Sequence, residues 1–248
     1  MRATPFALAL AAALATTALA APPATAQDFD HSALDGVLQA HVKGDKVDYA
    51  GLAQSAELKA YVGRLAEAKP DALPGKAAKL AFWINAYNAL TITGVLRHWP
   101  AIDSVSTIKP DYGFFKGKDF VVGGQTVSLN DIENEIIRPR FKDPRVHAAL
   151  NCASVSCPPL LNRAFVASRL EAQLDQVFGA WVNDDARNRL DAEGLKLSKI
   201  FDWYKADFEP AGGVKAWLKK YAKGEKQAAV DAAPTVGFLD YDWRLNKR

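Results

Sequence analysis

The sequence predicts an α+β fold, in which helices surround a central buried helix and pack on a small, mainly antiparallel sheet. Unequal helical patterns are mixed with short hairpin patterns, without the regular strand–helix alternation of a parallel sheet. The segment 76–99 is apolar on nearly every side, which is typical of a core helix. The sequence contains neither a G-x-G-x-x-G nor a Walker A pattern. Nucleotide-cofactor enzymes are therefore poor candidates, and we expect no cofactor.

Helices and turns of the first half follow from apolar spacing. Apolar residues recur at helical spacing over 32–42 and 53–68, and the segment between them turns and extends. The central helix over 76–99 stops at Pro100, because proline lacks the N–H group and its ring clashes with the preceding turn.

The second half is predicted to mix hairpins with helices. Gly123-Gly124 separates two β-prone runs and predicts a hairpin over 120–127. A helix over 128–138 follows, with Ser128 as its N-cap. Apparent strand alternation predicts a short strand over 145–150. The remaining predicted elements are a helix over 168–185, a hairpin joining 189–191 to 195–197, helices from 198 and over 213–222, and an extended segment over 236–245.

The first 26 residues have the features of a secretory signal peptide. A positive start at Arg2 precedes an apolar run rich in Ala and Leu, and an A-x-A cleavage site lies at 24–26. Cleavage before Gln27 leaves one domain over 27–248. The apolar run is shorter than the ~20 residues that span a bilayer. We therefore expect an exported protein, periplasmic or secreted, with no stable membrane insertion after cleavage.

The charge of the chain is close to balanced. The formal net charge is +3, and no block of like charge is present. Nucleic-acid-binding domains instead concentrate Lys and Arg. We therefore expect no nucleic acid as a partner, and favour a peptide, a glycan or another cell-envelope ligand.

The segment 145–160, RVHAALNCASVSCPPL, contains the densest group of reactive side chains. As a strand, it would project His147 from a rigid element, with Asn151, Cys152 and Cys157 in the following loop. A base on a strand beside a nucleophile on a turn suits covalent catalysis, and a nearby imidazolium lowers the pKa of a thiol. His147 is the candidate general base and Cys152 the candidate nucleophile. Cys157 is the alternative nucleophile, and Asn151 is a candidate oxyanion or orienting group.

The same segment also has a structural interpretation. A histidine on an apolar strand often bonds a backbone carbonyl in the core, and two nearby cysteines in an exported protein often form a disulfide. A turn would bring Cys152 and Cys157 within bonding distance. One His and two Cys, even when supplemented by Asp131 or Glu133, match no common zinc spacing, so we predict no metal site.

Asn85 and Asn88 form a second polar feature. They lie three residues apart and so share one face of the central helix. A buried amide without a partner costs ~1–3 kcal/mol. Both side chains therefore either bind loop backbone and serve the fold, or line a substrate pocket with Glu133. Asp202 and Asp207 are typical of a solvated helix face.

Six segments occur along the chain in the order of a known family. They are VDYAGL (47–52), FWINAYNALTI (82–92), SLNDIENEIIR (128–138), RVHAALNCASVSCPPL (145–160), LSKIFDWYKADF (197–208) and YDWRLN (241–246). In this the chain resembles the domain of unknown function 547 family. The resemblance covers nearly all of the predicted mature chain. It implies that the signature polar residues are Asn85, Asn88, His147, Asn151, Cys152 and Cys157.

The family resemblance also implies a similarity to papain- and transglutaminase-like folds. In those folds a cysteine at a helix N-terminus precedes the histidine, whereas all four histidines here precede both cysteines. The linear papain order is therefore excluded. A permuted site, or a degenerate site with Asn85 in place of the thiol, remains compatible with the sequence.

Two functions are compatible with these features. The first is an exported thiol-dependent hydrolase or acyl transferase that acts on a peptide, amide or cell-envelope substrate, with His147 and Cys152 at its centre. The alternative is a non-catalytic exported binding module on a degenerate hydrolase-like fold, with a structural Cys152–Cys157 disulfide. The His-to-Cys segment favours the enzyme.

Overall fold

The computed structural model describes residues 27–191 and 194–248, and the signal peptide expected over 1–26 lies outside this part of the chain. The α+β class predicted from the sequence is confirmed. The helices of the described residues are α1 (Ser32–His41), α2 (Tyr49–Leu52), α3 (Ala56–Glu67), α4 (Gly75–Leu96), α5 (Gly113–Lys116), α6 (Arg138–Phe141), α7 (Val146–Ala149), α8 (Leu170–Val182), α9 (Ile200–Trp203), α10 (Lys205–Phe208), α11 (Gly213–Tyr221) and α12 (Glu225–Ala232). A π-helical segment, Asp131–Ile137, leads directly into α6.

The strands of the described residues form three separate small sheets instead of one. The antiparallel pairs are β1 (Val42–Lys43) with β2 (Lys46–Val47), β3 (Phe120–Val122) with β4 (Gln125–Val127), and β5 (Arg189–Asp191) with β6 (Gly194–Leu197). A parallel neighbour of β6 is β7 (Val236–Phe238). The predicted hairpin over 120–127 is confirmed. Its turn residues Gly123 and Gly124 have φ of 60° and 74°, a region that favours glycine.

Helix α4 forms the centre of the domain, as its apolar sequence predicts. Sixteen of its 22 residues are buried, so it is surrounded on all sides. Residues 76–93 contain five alanines and neither Gly nor Pro, which favours a continuous helix. Helix α3 and the π-helical segment both pack on α4. Within the described part of the chain, no helix has both the length and the hydropathy needed to cross a membrane.

Residues 145–150 do not form the predicted strand. Their central part is the helical turn α7, and all four of its residues are buried. Asp143 begins the turn, because its Oδ1 accepts the backbone N–H of Arg145 at 3.0 Å, and Pro144 supplies a φ suited to a helix start. The strand prediction was wrong because it used side-chain alternation and gave no weight to this Asp-Pro signal. His147 therefore projects from a helical turn, on which α8 packs.

The loop over 151–162, the cysteine loop, is covered by the segment 241–246. Val155 donates its N–H to the carbonyl of Arg244 at 2.8 Å, and Asn246 donates its N–H to the carbonyl of Ala153 at 3.0 Å. These backbone bonds hold two segments, far apart in sequence, against each other. They bring the side chains of 241–246 to the edge of the cysteine loop.

Candidate functional site

A cavity of about 450 Å³ lies beside the cysteine loop, within the ~300–1,000 Å³ range of small-molecule sites. It is lined by Tyr87, Tyr112, Phe115, Lys116, Asn130, Glu133, Asn134, His147, Leu150, Cys152, Cys157, Ile200, Trp203, Tyr204, Tyr241 and Trp243. The fold thus brings His147, Glu133 and both cysteines, all candidates from the sequence, to one cavity.

The His147 imidazole is bound to a carboxylate. The residue is only 3% exposed, and its Nε2 lies 2.8 Å from Asp207 Oδ2. Arg138 binds the same carboxylate through Nε at 2.6 Å and Nη2 at 2.9 Å. Burial opposes the ionisation of Asp207, but the hydrogen bonds from His147 and Arg138 outweigh it and hold the pKa of this carboxyl well below its usual value. An ionised carboxylate only accepts hydrogen bonds. Nε2 therefore carries a proton, and in the neutral ring Nδ1 is the basic nitrogen.

Tyr204 and Glu133 complete the surroundings of this imidazole. The Tyr204 ring stacks on His147, with centroids 4.1 Å apart and 26° between the planes. Glu133 Oε1 lies 4.0 Å from His147 Nδ1. Burial raises the pKa of the Tyr204 hydroxyl, and the nearby Glu133 carboxylate raises it further. Tyr204 therefore stays neutral and keeps its hydroxyl proton.

Both cysteines are free thiols. The buried Cys157 accepts the backbone N–H of Cys152 on its Sγ at 2.9 Å. Cys152 is half-buried, and its Sγ lies 3.0 Å from Ser154 Oγ and 3.2 Å from the Tyr241 hydroxyl. Burial alone would raise the pKa of the Cys152 thiol, but hydrogen bonds with Cys157, Ser154 and Tyr241 lower it to about 7. Burial raises the pKa of Cys157 well above its usual value. Cys152 is thus the more readily ionised thiol of the pair.

The imidazole and the thiols border the cavity without bonding to each other. Within the described residues, the side-chain hydrogen bond of His147 runs to Asp207, and no bond joins its ring to a sulfur. Within residues 27–191 and 194–248, no three His, Cys, Asp or Glu side chains are placed so that together they could hold a metal ion. A group held in the cavity would have Cys152 and His147 at its borders.

Asn151 and Asn88 bind the backbone of the cysteine loop. Asn88 accepts the N–H of Asn151 at 2.9 Å and donates to the carbonyl of Ala149 at 2.9 Å. The Asn151 side chain donates to the carbonyl of Pro158 at 2.9 Å and accepts the N–H of Ala153 at 3.0 Å. This Asx turn supports Ala153 in the left-handed region, at φ 66°. The two asparagines thus fix the geometry of the loop that carries the thiols.

Asn85 binds a different loop. Its Nδ2 donates to the Phe165 carbonyl at 2.7 Å, and its Oδ1 accepts the Phe165 N–H at 2.9 Å. Asn85 is 1% exposed and, like Asn88 and Asn151, is not among the residues that line the cavity. Of the three pocket residues expected from the sequence, Glu133 lies at the cavity, and the two asparagines lie in the scaffold around it.

The structure adds Asp207, Arg138 and Tyr204 to the residues proposed from the sequence. The expectation that Asp207 lies on a solvated helix face is wrong, because His147 and Arg138 bind its carboxylate. One local signal was present. Tyr204 and Asp207 are three residues apart, so a helical turn places the carboxylate beside an aromatic ring that needs burial.

A family model described as "Protein of unknown function, DUF547" matches residues 70–182. Over this segment the chain is similar to that family, and the motifs over 82–92, 128–138 and 145–160 lie within the match. The matched segment contains α4, α7 and the cysteine loop. Neither the curated proteins nor the solved structures that were compared with the chain match it.

Proposed function

We propose that the chain is an exported thiol-dependent hydrolase or acyl transferase that acts on a peptide, amide or cell-envelope substrate. One arrangement supports this proposal: a free thiol with a lowered pKa borders the same cavity as an imidazole that a carboxylate orients. The thiolate is the nucleophilic form of cysteine, and a pKa of about 7 for Cys152 makes it abundant at neutral pH. The His147–Asp207 pair supplies the base and the acid.

The first half of the reaction forms a thioester on Cys152. The thiol proton passes to His147 Nδ1, and the thiolate attacks the substrate carbonyl carbon, forming the C–S bond. The carbonyl π pair moves onto oxygen. When that oxyanion collapses, the bond to the leaving amine or alcohol breaks, and the imidazolium returns its proton to the leaving group.

The second half releases the acyl group. Water, or an acceptor amine or alcohol, attacks the thioester carbon and gives its proton to His147 Nδ1. The C–S bond then breaks, and Cys152 leaves as a thiolate, ready for the next cycle. Asp207 stabilises the imidazolium that forms in each half, because its carboxylate already accepts the Nε2 hydrogen bond.

Tyr241 is the candidate donor to the oxyanion. The N–H groups of Cys152 and Ala153 are already bound, to Cys157 Sγ and to Asn151 Oδ1. The Tyr241 hydroxyl bonds the Cys152 sulfur at 3.2 Å. A thioester sulfur accepts hydrogen bonds poorly, so acylation releases this hydroxyl to stabilise negative charge on the neighbouring oxygen.

Alkylation and acylation of Cys152 test the proposal. Iodoacetamide labelling of the mature chain is followed by mass spectrometry on both sides of pH 7, with Cys157→Ser as the control that leaves one thiol. We expect labelling at Cys152 in both chains, with a midpoint near 7 in the wild type. p-Nitrophenyl acetate is expected to leave an acetyl group on Cys152 that His147→Ala hydrolyses about 100-fold more slowly. A Cys152 that is never acylated, in a folded and reduced sample, overturns the enzyme.

The second candidate is the non-catalytic exported binding module. One observation favours it: within the described residues, the His147 ring is bonded to Asp207 and to neither sulfur. For a binding module, His147→Ala would fold and bind ligand like the wild type, and no acyl adduct would form on the wild-type chain.

Export is part of the same proposal and rests on the features of residues 1–26. Expression of the full chain in a bacterium with a periplasm, followed by fractionation and N-terminal sequencing, tests it. A cytoplasmic chain that keeps Met1 contradicts export.

A further inference from the structure

Five aromatic side chains form a continuous surface at the cavity, the aromatic platform: Tyr112, Phe115, Trp203, Tyr241 and Trp243. Trp243 is its centre, since its ring contacts the other four at centroid distances from 4.6 to 6.3 Å. Tyr112 and Trp203 remain 53% and 45% exposed. Large rings are mostly buried in folded proteins, so an exposed contiguous group beside a cavity indicates a ligand surface.

Three polar side chains beside the platform keep unused hydrogen-bonding capacity. The Asn130 amide nitrogen and the Lys116 ammonium have no hydrogen-bond partner within the described residues, so both are available donors. Glu133, which lies near Tyr204 and 4.0 Å from His147 Nδ1, keeps acceptor sites on its carboxylate. The positive Lys116 and the negative Glu133 balance each other, so the cavity favours neither a cation nor an anion.

We propose that the substrate carries an uncharged sugar ring, which stacks on the aromatic platform. A pyranose presents C–H groups on its faces and hydroxyls on its edge. The C–H faces match the negative faces of the aromatic rings, and each hydroxyl can both donate and accept, which matches Asn130, Lys116 and Glu133. A purely apolar ligand would cover the half-buried Asn130 and Glu133 without giving their polar atoms a partner, which disfavours such a ligand.

The platform also lies beside the candidate nucleophile. Tyr241 belongs to the platform, and its hydroxyl is 3.2 Å from Cys152 Sγ. A sugar that stacks here would place an acyl or amide substituent of its ring next to the thiol. The inference that this substituent is the bond attacked rests on the proposed function, whereas sugar binding itself does not.

Calorimetric titration of the mature chain with neutral oligosaccharides tests the sugar site. The probes are N,N′-diacetylchitobiose, cellobiose and maltose. We expect at least one to bind, Trp203→Ala to weaken it at least about tenfold, and Trp203→Tyr to restore most of the affinity. Phe238→Ala is the matched control, because Phe238 is also an exposed aromatic residue (38%) but does not line the cavity. It should bind like the wild type.

Three outcomes overturn the sugar site: no probe binds, Trp203→Ala binds like the wild type, or a proline-rich peptide or tetramethylammonium binds and the sugars do not. The same samples separate this inference from the proposed function. The bound sugar should protect Cys152 from iodoacetamide. Sugar binding to a chain whose Cys152 is never acylated overturns only the enzyme, and acylation of Cys152 in a chain that binds no sugar overturns only the sugar site.

Discussion

His147 Nε2 and Asp207 Oδ2 lie 2.8 Å apart and join α7 to α10 across 60 residues of sequence. The positively charged Arg138 guanidinium binds the same carboxylate, and its charge balances that of Asp207. The three side chains therefore form one charge-balanced group beside the cavity. The hydrogen bond fixes both the orientation of the ring and the nitrogen that carries its proton. This hydrogen bond therefore has consequences for the stability of the fold and for the proposed reaction.

Replacing Asp207 with Asn should destabilise the fold by about 2 kcal/mol, the usual contribution of hydrogen bonds to charged groups. The amide cannot accept from His147 and Arg138 as a carboxylate does. Asp202→Asn is the matched control, because among the described residues the Asp202 carboxylate pairs with Lys199 at the surface, and its loss should cost about 0.5 kcal/mol or less. Urea unfolding measures both variants. Equal effects would contradict the pairing of Asp207.

The stabilisation from Asp207 should depend on pH. Its pKa in the folded chain lies below its usual value of 3.8, so the unfolded chain binds the proton more readily. The contribution is therefore fully present above pH 3.8 and is lost as the pH falls through the lower, folded pKa. Urea unfolding of the wild type and Asp207→Asn, on both sides of pH 3.8, measures this. A difference between the two chains that grows in acid would reverse the expected sign.

Tyr241→Phe should raise the pKa of the Cys152 thiol above 7. The variant removes one hydrogen bond to the sulfur but keeps the ring in the platform. The midpoint of iodoacetamide labelling measures the change. Tyr112→Phe removes a hydroxyl from the same cavity without touching the sulfur, so its midpoint should equal that of the wild type. An unchanged midpoint in Tyr241→Phe would remove this tyrosine from the thiol's environment.

Two substitutions in α4 should have opposite effects on stability. Asn85→Leu leaves the N–H and carbonyl of Phe165 unpaired and should cost ~2–5 kcal/mol. Thr91→Val should be neutral or stabilise by about 1 kcal/mol, because the buried Thr91 hydroxyl has no partner within the described residues. Thermal and urea unfolding compare the two chains. A large loss in Thr91→Val would reveal a partner for its hydroxyl.

Oxidised glutathione should convert Cys152 and Cys157 into a disulfide. The two thiols interact through a hydrogen bond, and Cys157 Sγ also accepts the Cys152 N–H at 2.9 Å. Each thiol loses a proton and an electron, and glutathione disulfide is reduced to two thiols. We expect labelling of Cys152 to stop and to return after reduction. If both thiols stay free in excess oxidant, the structural-disulfide alternative is excluded for this chain.

Local sequence patterns correctly predicted the elements that depend mainly on interactions between residues close in sequence. The apolar run at 76–99 gave the central helix, and Gly123-Gly124 gave the hairpin. The helical turn α7 was not predicted, because Asp143 and Pro144, which start it, lie just before the strand predicted over 145–150. The turn formed by Asp143, together with the fixed φ of Pro144, outweighed the alternation of side chains.

The site was predictable only in part, for a different reason. His147 and the cysteines are clustered in sequence, so their shared role was visible. Their partners Asp207 and Tyr241 lie 60 and 89 residues away from His147 and Cys152. The local periodicity of the sequence does not predict which distant turns contact each other in the fold. Such long-range contacts arise only when the whole core has formed.

The cover that 241–246 forms over the cysteine loop has a practical consequence for fragments of this chain. A piece cut at the limits of the family match, 70 and 182, would retain the imidazole and both sulfurs. It would lose Asp207, the counter-ion of the ring, and Tyr241, the phenol beside the thiol. It would also lose Trp203 and Trp243, and with them most of the stacking surface. The limits of the family match therefore differ from the limits of the intact cavity, and a fragment trimmed to the match would lack part of the cavity wall.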